Sequence, residues 1–264
     1  MAMLPLPPGF IEQTRHQETW WLKAGFETLI PAAIHQIAQL AETQRQNTRA
    51  EDSTRTITPL HWGRGAVWRV GTDIHETLHE TLIVRAYRRG GFVRHFSHDL
   101  YWDRPPRPLA EVVATETARQ RGVPTIEVLG AYVRWVNNVL YRGFFISREA
   151  EGFHNLWEWL RMQPTSSIRV ATLTAVARAI ATMHDAGIAH ADLNLTNILV
   201  QPSSSSPHVL LLDFDRAQVL PNPVPRSQRE QTLRRLQRSF QKLNLNGTVH
   251  PVDDLALLWT EPSP

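Results

Sequence analysis

His190-Ala191-Asp192-Leu193-Asn194-Leu195-Thr196-Asn197, followed by Leu211-Leu212-Asp213-Phe214-Asp215, is the stretch whose reading decides the fold. The first segment has the form H-x-D-L-x-x-x-N. Its aspartate suits acceptance of a proton from an attacking hydroxyl. The asparagine and the later aspartate supply oxygen donors for magnesium ions that bridge the phosphates of ATP. A lone H-x-D triplet arises readily by chance. Two motifs in this order, each against an apolar run (Ile198-Leu199-Val200 and Val209 to Leu212), are much harder to obtain that way.

Working outward, the chain has 264 residues, 42% of them hydrophobic and 20% charged. That is enough for one large domain or two intimate lobes around a sizeable core. There are no cysteines, which excludes disulfides and thiolate metal sites. Met1 to Phe10 is Pro-rich, without a charged n-region or a long apolar h-region, so we expect no secretory signal. No run approaches the ~18 apolar residues of a membrane span. The expected location is cytosolic, either free or on a membrane surface. The net charge of +3 is unevenly spread. Arg85, Arg88, Arg89, Arg94, Arg104 and Arg107 form one cluster, and Arg226, Arg229, Arg234, Arg235, Arg238 and Lys242 another. Such clusters suit phosphates, acidic sugars or anionic lipid, or are simply solvated faces. No nucleic-acid partner is expected.

Hydrophobic periodicity organises the rest. Residues 1–19 read as an irregular tail. Trp20 to Gln46 reads mostly as helix, with Pro31 kinking or interrupting it. Residues 47–59 read as loop. Strands are expected at Ala66 to Val70, Thr81 to Tyr87, Thr125 to Val136 and Val139 to Ser147, with Asn137-Asn138 as a hairpin turn. A helix over Pro108 to Arg121 ends at Gly122 and Pro124. Beyond Ala150 helical spacing dominates, with helices over Val170 to Ala186, stopped by Gly187, and Gln228 to Leu243. Residues 201–208, QPSSSSPH, join two short strands as a lengthened hairpin loop.

Several residues in the strand-rich half fit the ATP side. Gly63-Arg64-Gly65 is a G-x-G turn that could cover phosphates, although Trp68 stands where a third glycine would complete the loop. Leu82-Ile83-Val84-Arg85 ends a strand on a cation whose guanidinium can hold phosphate and pair with a carboxylate. On the following helix Glu111 is the first candidate partner and Glu116 the second, with a surface role expected for the other. Phe145 to Arg148 is the expected linker, with Phe145 and Ile146 touching adenine through backbone groups. His190 is read as a support for the loop backbone. Asp215 reads equally as a metal assistant or a loop acid.

Asp192, Asn197 and Asp213 together resemble the catalytic apparatus of the eukaryotic-type protein kinase superfamily. Asn194 replaces the usual lysine, Asp213-Phe214-Asp215 is not D-F-G, and no A-P-E follows. These departures suit a small-molecule or sugar kinase. The closer resemblance is to the 3-deoxy-D-manno-octulosonic acid (Kdo) kinases of the lipopolysaccharide core kinase family. It rests on Gly63-Arg64-Gly65-Ala66, Val84-Arg85-Ala86-Tyr87-Arg88-Arg89-Gly90-Gly91, Arg107-Pro108-Leu109-Ala110-Glu111, Gly122-Val123-Pro124, Tyr141-Arg142-Gly143, His190 to Leu199, and Leu236-Gln237-Arg238-Ser239-Phe240.

That resemblance implies a bilobal, protein-kinase-like α+β fold. Its parts would be an extension over 1–59, an ATP-binding small lobe over 60–148 and a catalytic large lobe over 149–264. It implies ATP and Mg2+ as cofactors. Asp192 would be catalytic, Asn197 and Asp213 would hold metal, and Gly63, Arg64, Gly65, Arg85, Glu111, Phe145 and Ile146 would bind nucleotide. The implied reaction phosphorylates the 4-hydroxyl of Kdo on a lipid A-linked acceptor, at the cytoplasmic face of the inner membrane. The implied enzyme is peripheral and has no obligate protein partner. A kinase for heptose or an aminoglycoside, or a catalytically dead membrane-surface binding module, are the alternatives.

Overall fold

The computed structural model describes residues 4–46, 57–60, 67–75, 78–87, 100–102, 104–247, 249 and 253–258. They fall into two compact units, Met1–Val113 with Glu127–Glu149, and Ala114–Ile126 with Ala150–Pro264.

In the first unit, seven strands make one antiparallel sheet: β1 (Phe10–Arg15), β2 (Glu18–Lys23), β3 (Ile57–Leu60), β4 (Val67–His75), β5 (Leu78–Ala86), β6 (Val128–Trp135) and β7 (Tyr141–Arg148). Their spatial order is β1-β2-β6-β7-β5-β4-β3. Helix α1 (Leu29–Gln46) sets Ile30, Ile34 and Ile37, spaced i, i+4 and i+7, into a core with Leu22, Val70, Leu82, Val84, Leu129 and Ile146. Gly130 permits the close passage of β2 and β6, because a Cβ there would lie 2.8 Å from the carbonyl oxygen of Trp21.

Several expectations for the N-terminal region need correction, among them the loop over 47–59, since Ile57–Leu60 is β3. The tail expected over 1–19 contains β1, and Trp20 to Lys23 belongs to β2 rather than to a helix. The tryptophans explain it. Trp20 and Trp21 are both buried, Trp20 stacks on Tyr132 with ring centroids 3.9 Å apart, and the Trp21 indole N–H donates to Glu12 at 2.9 Å. Burial on both faces of an inner strand removes the alternation that would have marked it. Pro31 falls in the first turn of α1, where its missing N–H has no helical acceptor to lose, so the helix runs on. The expected hairpin is present: Asn137 accepts from the backbone N–H groups of Val139 and Leu140 at 2.9 and 2.7 Å.

Helix α2 (Arg107–Gln120) contributes residues to both units and ends at Gly122, whose φ is +82°. The second unit holds α3 (Leu156–Arg161), α4 (Ser166–Asp185) and α5 (Arg226–Leu243). It also holds two small sheets. One has the order β11-β10-β8, built from His208–Leu211, Ile198–Gln201 and His154–Asn155; the other pairs β12 (Gln218–Val219) with β9 (Ile188–Ala189). A core of Leu156, Leu173, Val176, Ile180, Met183, Leu195, Ile198, Val200, Leu211, Phe214 and Leu236 unites these elements. Gly187 turns the chain from α4 into β9 at φ +74°, where a Cβ would meet two carbonyl oxygens at 2.7 Å. Among the described residues, no helix is long and apolar enough to cross a membrane.

Candidate active site

The H-x-D-L-x-x-x-N segment spans the gap between β9 and β10, and its geometry follows from what it buries. Leu193 and Leu195 are 1% and 0% exposed, so both alternate side chains plunge into the core and pin the loop. Burying a leucine is worth roughly 1.5–3 kcal/mol. The intervening positions are thereby left outward, and Asp192 is exposed while Asn197 is half-buried.

Backbone groups of this loop are braced by its own polar side chains. The carbonyl of Asp192 accepts from the amide nitrogens of both Asn194 and Asn197 at 3.1 Å. Asn194 also caps the 3-10 turn Leu195–Asn197, accepting from the Thr196 N–H at 2.9 Å. The asparagine in place of the usual lysine is therefore part of the loop's frame. With its nitrogen donating to that carbonyl, the Asn197 carboxamide keeps its oxygen as an acceptor.

His190 joins this loop to the second motif. Its Nδ1 accepts from the Asp192 backbone N–H at 3.1 Å, and its Nε2 lies 2.9 Å from the carbonyl oxygen of Leu212. A carbonyl can only accept, so Nε2 carries the proton and the ring is the neutral tautomer. Burial holds the imidazole below its ordinary pKa. The Leu212 carbonyl and then the Asp213 and Asp192 carboxylates pull the other way, and Arg235 adds to the lowering. Leu212 in turn donates its N–H to the carbonyl of Asn197 at 2.9 Å. Asp192, Asn197 and the residue before Asp213 are thus tied into one hydrogen-bonded frame. The supporting role expected for His190 is the one its contacts describe.

Asp213 follows β11 with φ +65°, a left-handed conformation in which aspartate is enriched among non-glycine residues. Phe214 behind it is fully buried and packs against His190, ring centroids 5.2 Å apart. The donor set fits magnesium. Asn197 and Asp213 offer hard oxygen ligands, and Mg2+ is ordinarily held by one or two carboxylates with water and substrate phosphate rather than by a full protein cage. Among the described residues, no group of three or more His, Cys, Asp or Glu side chains could hold a metal ion.

In the strand-rich unit, Arg85 near the end of β5 donates through Nη2 to both carboxylate oxygens of Glu111 on α2, at 2.6 Å to Oε2. The Tyr87 hydroxyl donates to the same carboxylate. Glu111 is 2% exposed, so this carboxylate is satisfied entirely within the protein. The Arg85 guanidinium lies 5.1 Å from the Tyr87 ring centroid and 5.4 Å from that of Phe145. Glu116, the second candidate, pairs instead with Arg119 at 3.0 Å. It is also 2% exposed, which corrects the surface role expected of it.

Phe145 and Ile146 lie inside β7 rather than in a linker. Phe145 is in register with Arg85 and Ala131, and Ile146 with Val84 and Gly130, so β5 and β6 flank both residues. Gly63, Arg64 and Gly65 lie outside the described residues, as do Arg88, Arg89 and Arg94.

Sequence reasoning missed two participants. Tyr87 was legible only as part of a motif, not as a second donor to Glu111. Arg235 of α5 donates through Nη1 to the carbonyl of Ala191 at 3.0 Å, a contact across 44 positions that no local spacing reveals.

Residues 54–256 match the lipopolysaccharide kinase (Kdo/WaaP) family. The chain is 31% identical over 210 residues to the 3-deoxy-D-manno-octulosonic acid kinase of Stenotrophomonas maltophilia (strain K279a), covering 74% of this chain and 78% of that protein. It is 34% identical over 195 residues to the protein of the same description from Xanthomonas campestris pv. campestris (strain B100), covering 72% of each. It is 29% identical over 206 residues to that of Vibrio cholerae serotype O1, covering 73% and 81%. Among solved structures it is similar to WaaP in complex with acyl carrier protein, with a TM-score of 0.50 and 19% identity over 77% of this chain and 76% of that one. That likeness shows the bilobal, protein-kinase-like α+β fold, with a strand-rich small lobe and a helical large lobe. It also corrects the expectation of no obligate protein partner, since the protein of like fold was solved assembled with one.

Proposed function

This chain belongs to the lipopolysaccharide kinase (Kdo/WaaP) family, a family of kinases acting on sugars of the lipopolysaccharide core, and from that premise we propose that it phosphorylates the 4-hydroxyl of Kdo on a lipid A-linked acceptor, using ATP. The observation that carries the reading is the frame joining Asp192, Asn197 and the Leu212–Asp213 turn through His190. In this reading that frame would set a proton acceptor, Asp192, and two metal donors, Asn197 and Asp213, on one braced loop system.

In this reading the acceptor oxygen forms its bond to the γ-phosphorus while the bond from that phosphorus to the bridging β-phosphate oxygen breaks, releasing ADP. Asp192 takes the proton of the acceptor hydroxyl. Asn197 and Asp213 would hold magnesium, which would offset the negative charge of the phosphates. Arg85, held by Glu111, would contact a phosphate oxygen, and Gly63, Arg64 and Gly65 would cover the phosphates. Catalysis is then mainly positioning and electrostatic stabilisation by groups already in place.

The enzyme would work as a peripheral protein on the cytoplasmic face of the inner membrane, where its acceptor lies. By analogy with the WaaP assembly, it would also associate with an acyl carrier protein. Purified protein incubated with ATP, magnesium and Kdo-lipid A should yield an acceptor heavier by one phosphoryl group. Heptosylated lipid A, an aminoglycoside and a generic protein should remain unchanged. Phosphorylation of one of these instead of Kdo-lipid A would overturn the acceptor assignment.

A further inference from the structure

The cations of α5 are sorted by flank. Arg226 and Arg234 both pair with Glu230, at 3.1 and 3.4 Å, along an i, i+4, i+8 stripe. Arg229 pairs with Asp185 at 2.8 Å and donates to the carbonyl of Val224 at 2.7 Å. Arg235, Arg238 and Lys242 follow i, i+3, i+7 and so share another flank. Among the described residues, no carboxylate forms an ion pair with any of these three.

Arg235 differs from the other two in being fixed. It is half-buried, beside the fully buried Leu236, and one turn further on Ser239 lies 3.5 Å from the backbone nitrogen of Leu195. Its bond to the Ala191 carbonyl holds the guanidinium at the residue preceding Asp192. A neutral carbonyl occupies one of the five N–H donors and leaves the charge uncompensated. Holding a long cation in one place costs side-chain entropy, and partly desolvating it costs more. Arg226, Arg229 and Arg234 on α5 relieve that cost with carboxylates; at Arg235 the natural relief is an anion brought by the ligand.

We propose that Arg235 is a specificity-determining residue that receives the carboxylate of the acceptor sugar, selecting an acidic sugar over a neutral one. This rests on the acceptor named above, an octulosonic acid and therefore a carboxylate at neutral pH. A planar guanidinium steadied through one Nη can still present an N–H fork to a carboxylate.

The test is a titration of free Kdo and of its carboxyl-reduced analogue into the wild-type protein, Arg235→Gln and Arg234→Gln. Charge-assisted hydrogen bonds contribute about 1.5–3 kcal/mol, so the wild type should prefer the acid by roughly 10- to 150-fold. Arg235→Gln should bring the two sugars within about twofold of each other by weakening the acid alone. Arg234→Gln, on the other flank, should keep the preference. Equal binding of the two sugars by the wild type overturns the proposal, as does no binding of Kdo; neither result depends on a variant folding. Arg235→Gln weakening both sugars equally also overturns it, since that is what a purely structural brace of Ala191 would give. A protein that prefers the acid but transfers no phosphoryl group to Kdo-lipid A would sink the kinase reading and leave this subsite standing.

Discussion

His190 Nε2 lies 2.9 Å from the carbonyl oxygen of Leu212 while Nδ1 of the same ring takes the N–H of Asp192, so one buried imidazole joins the two motifs. Protonation would place a hydrogen on Nδ1 and break the bond from Asp192. Burial above all, together with the loss of that bond, makes the folded protein resist a proton that the unfolded chain accepts near the ordinary imidazole pKa of about 6.5. Below that pH the unfolded state binds more protons, and stability falls as pH falls. The loss continues until pH reaches the depressed folded-state value. Its steepest slope from this one residue is about 1.4 kcal/mol per pH unit. The chain has 12 histidines, so the measurement must be differential. Urea unfolding at several pH values should show a shallower acid slope for His190→Gln than for the wild type. Parallel slopes would assign the acid sensitivity elsewhere.

Asp192 is exposed at the head of a loop whose backbone is braced independently of its carboxylate. Asp192→Asn should leave that frame intact. We expect kcat to fall by about 10²–10⁴-fold, the usual contribution of a general base, with nucleotide affinity nearly unchanged. A variant keeping more than half of the wild-type rate would remove Asp192 from the mechanism.

For Asp213 the expected signature is metal dependence. Asp213→Ala should abolish turnover and weaken Mg-ATP binding more than binding of magnesium-free ATP. Titration calorimetry reads both. Equal losses in the two titrations would mean that Asp213 shapes the loop, through its left-handed backbone, without touching metal.

The Glu111 carboxylate serves Arg85 and Tyr87 at once. Arg85→Ala removes the paired cation from a carboxylate that is 2% exposed, so it should destabilise the protein as well as slow it. Arg85→Ala and Glu111→Ala should damage the same step, with a coupling of about 0.5–3 kcal/mol in kcat/KM. The double variant should accordingly be less impaired than the product of the single variants. Tyr87→Phe should show a milder loss that disappears in the Glu111→Ala background. Strict multiplicativity of Arg85→Ala and Glu111→Ala would show that the pair does not act as a unit.

These cases also show what the sequence makes legible. The relation of Asp192 to Asn197 is set by five consecutive peptide bonds, and Leu193 and Leu195 announce by their apolarity which way the loop faces. The sequence ranks Glu111 above Glu116 as the partner of Arg85, and Arg85 pairs with Glu111. Trp20 and Trp21 misled because an inner strand buried on both faces carries no alternation, and their apolar run merged with the helical spacing that follows. Phe145 and Ile146 were read as linker because sequence shows where a strand is, not that sheet partners flank it on both sides. The Arg235–Ala191 contact depends on where α5 docks, and nothing in the spacing of either segment encodes that.

Docking also narrows how α5 can meet a membrane. Arg226, Arg229 and Arg234 are engaged by Glu230 and Asp185, and Arg235 is turned to the Ala191 carbonyl. Arg238 and Lys242 remain exposed on the same flank as Arg235, so lipid contact should run through them. Each such cation contributes about 1 kcal/mol near an anionic surface, and the Debye length shrinks to about 3 Å in molar salt. The protein should therefore float with anionic liposomes in dilute buffer and be released at 1 M salt, a concentration chosen from that screening length. Losing two cations worth about 1 kcal/mol each should weaken liposome binding by roughly 30-fold in Arg238→Gln/Lys242→Gln. Arg226→Gln/Arg234→Gln, which removes cations already paired with Glu230, should float nearly as well as the wild type. Equal losses in the two double variants would mean that net charge, not this flank, holds the protein on lipid. No flotation of the wild-type protein would leave α5 as a brace for the catalytic loop alone.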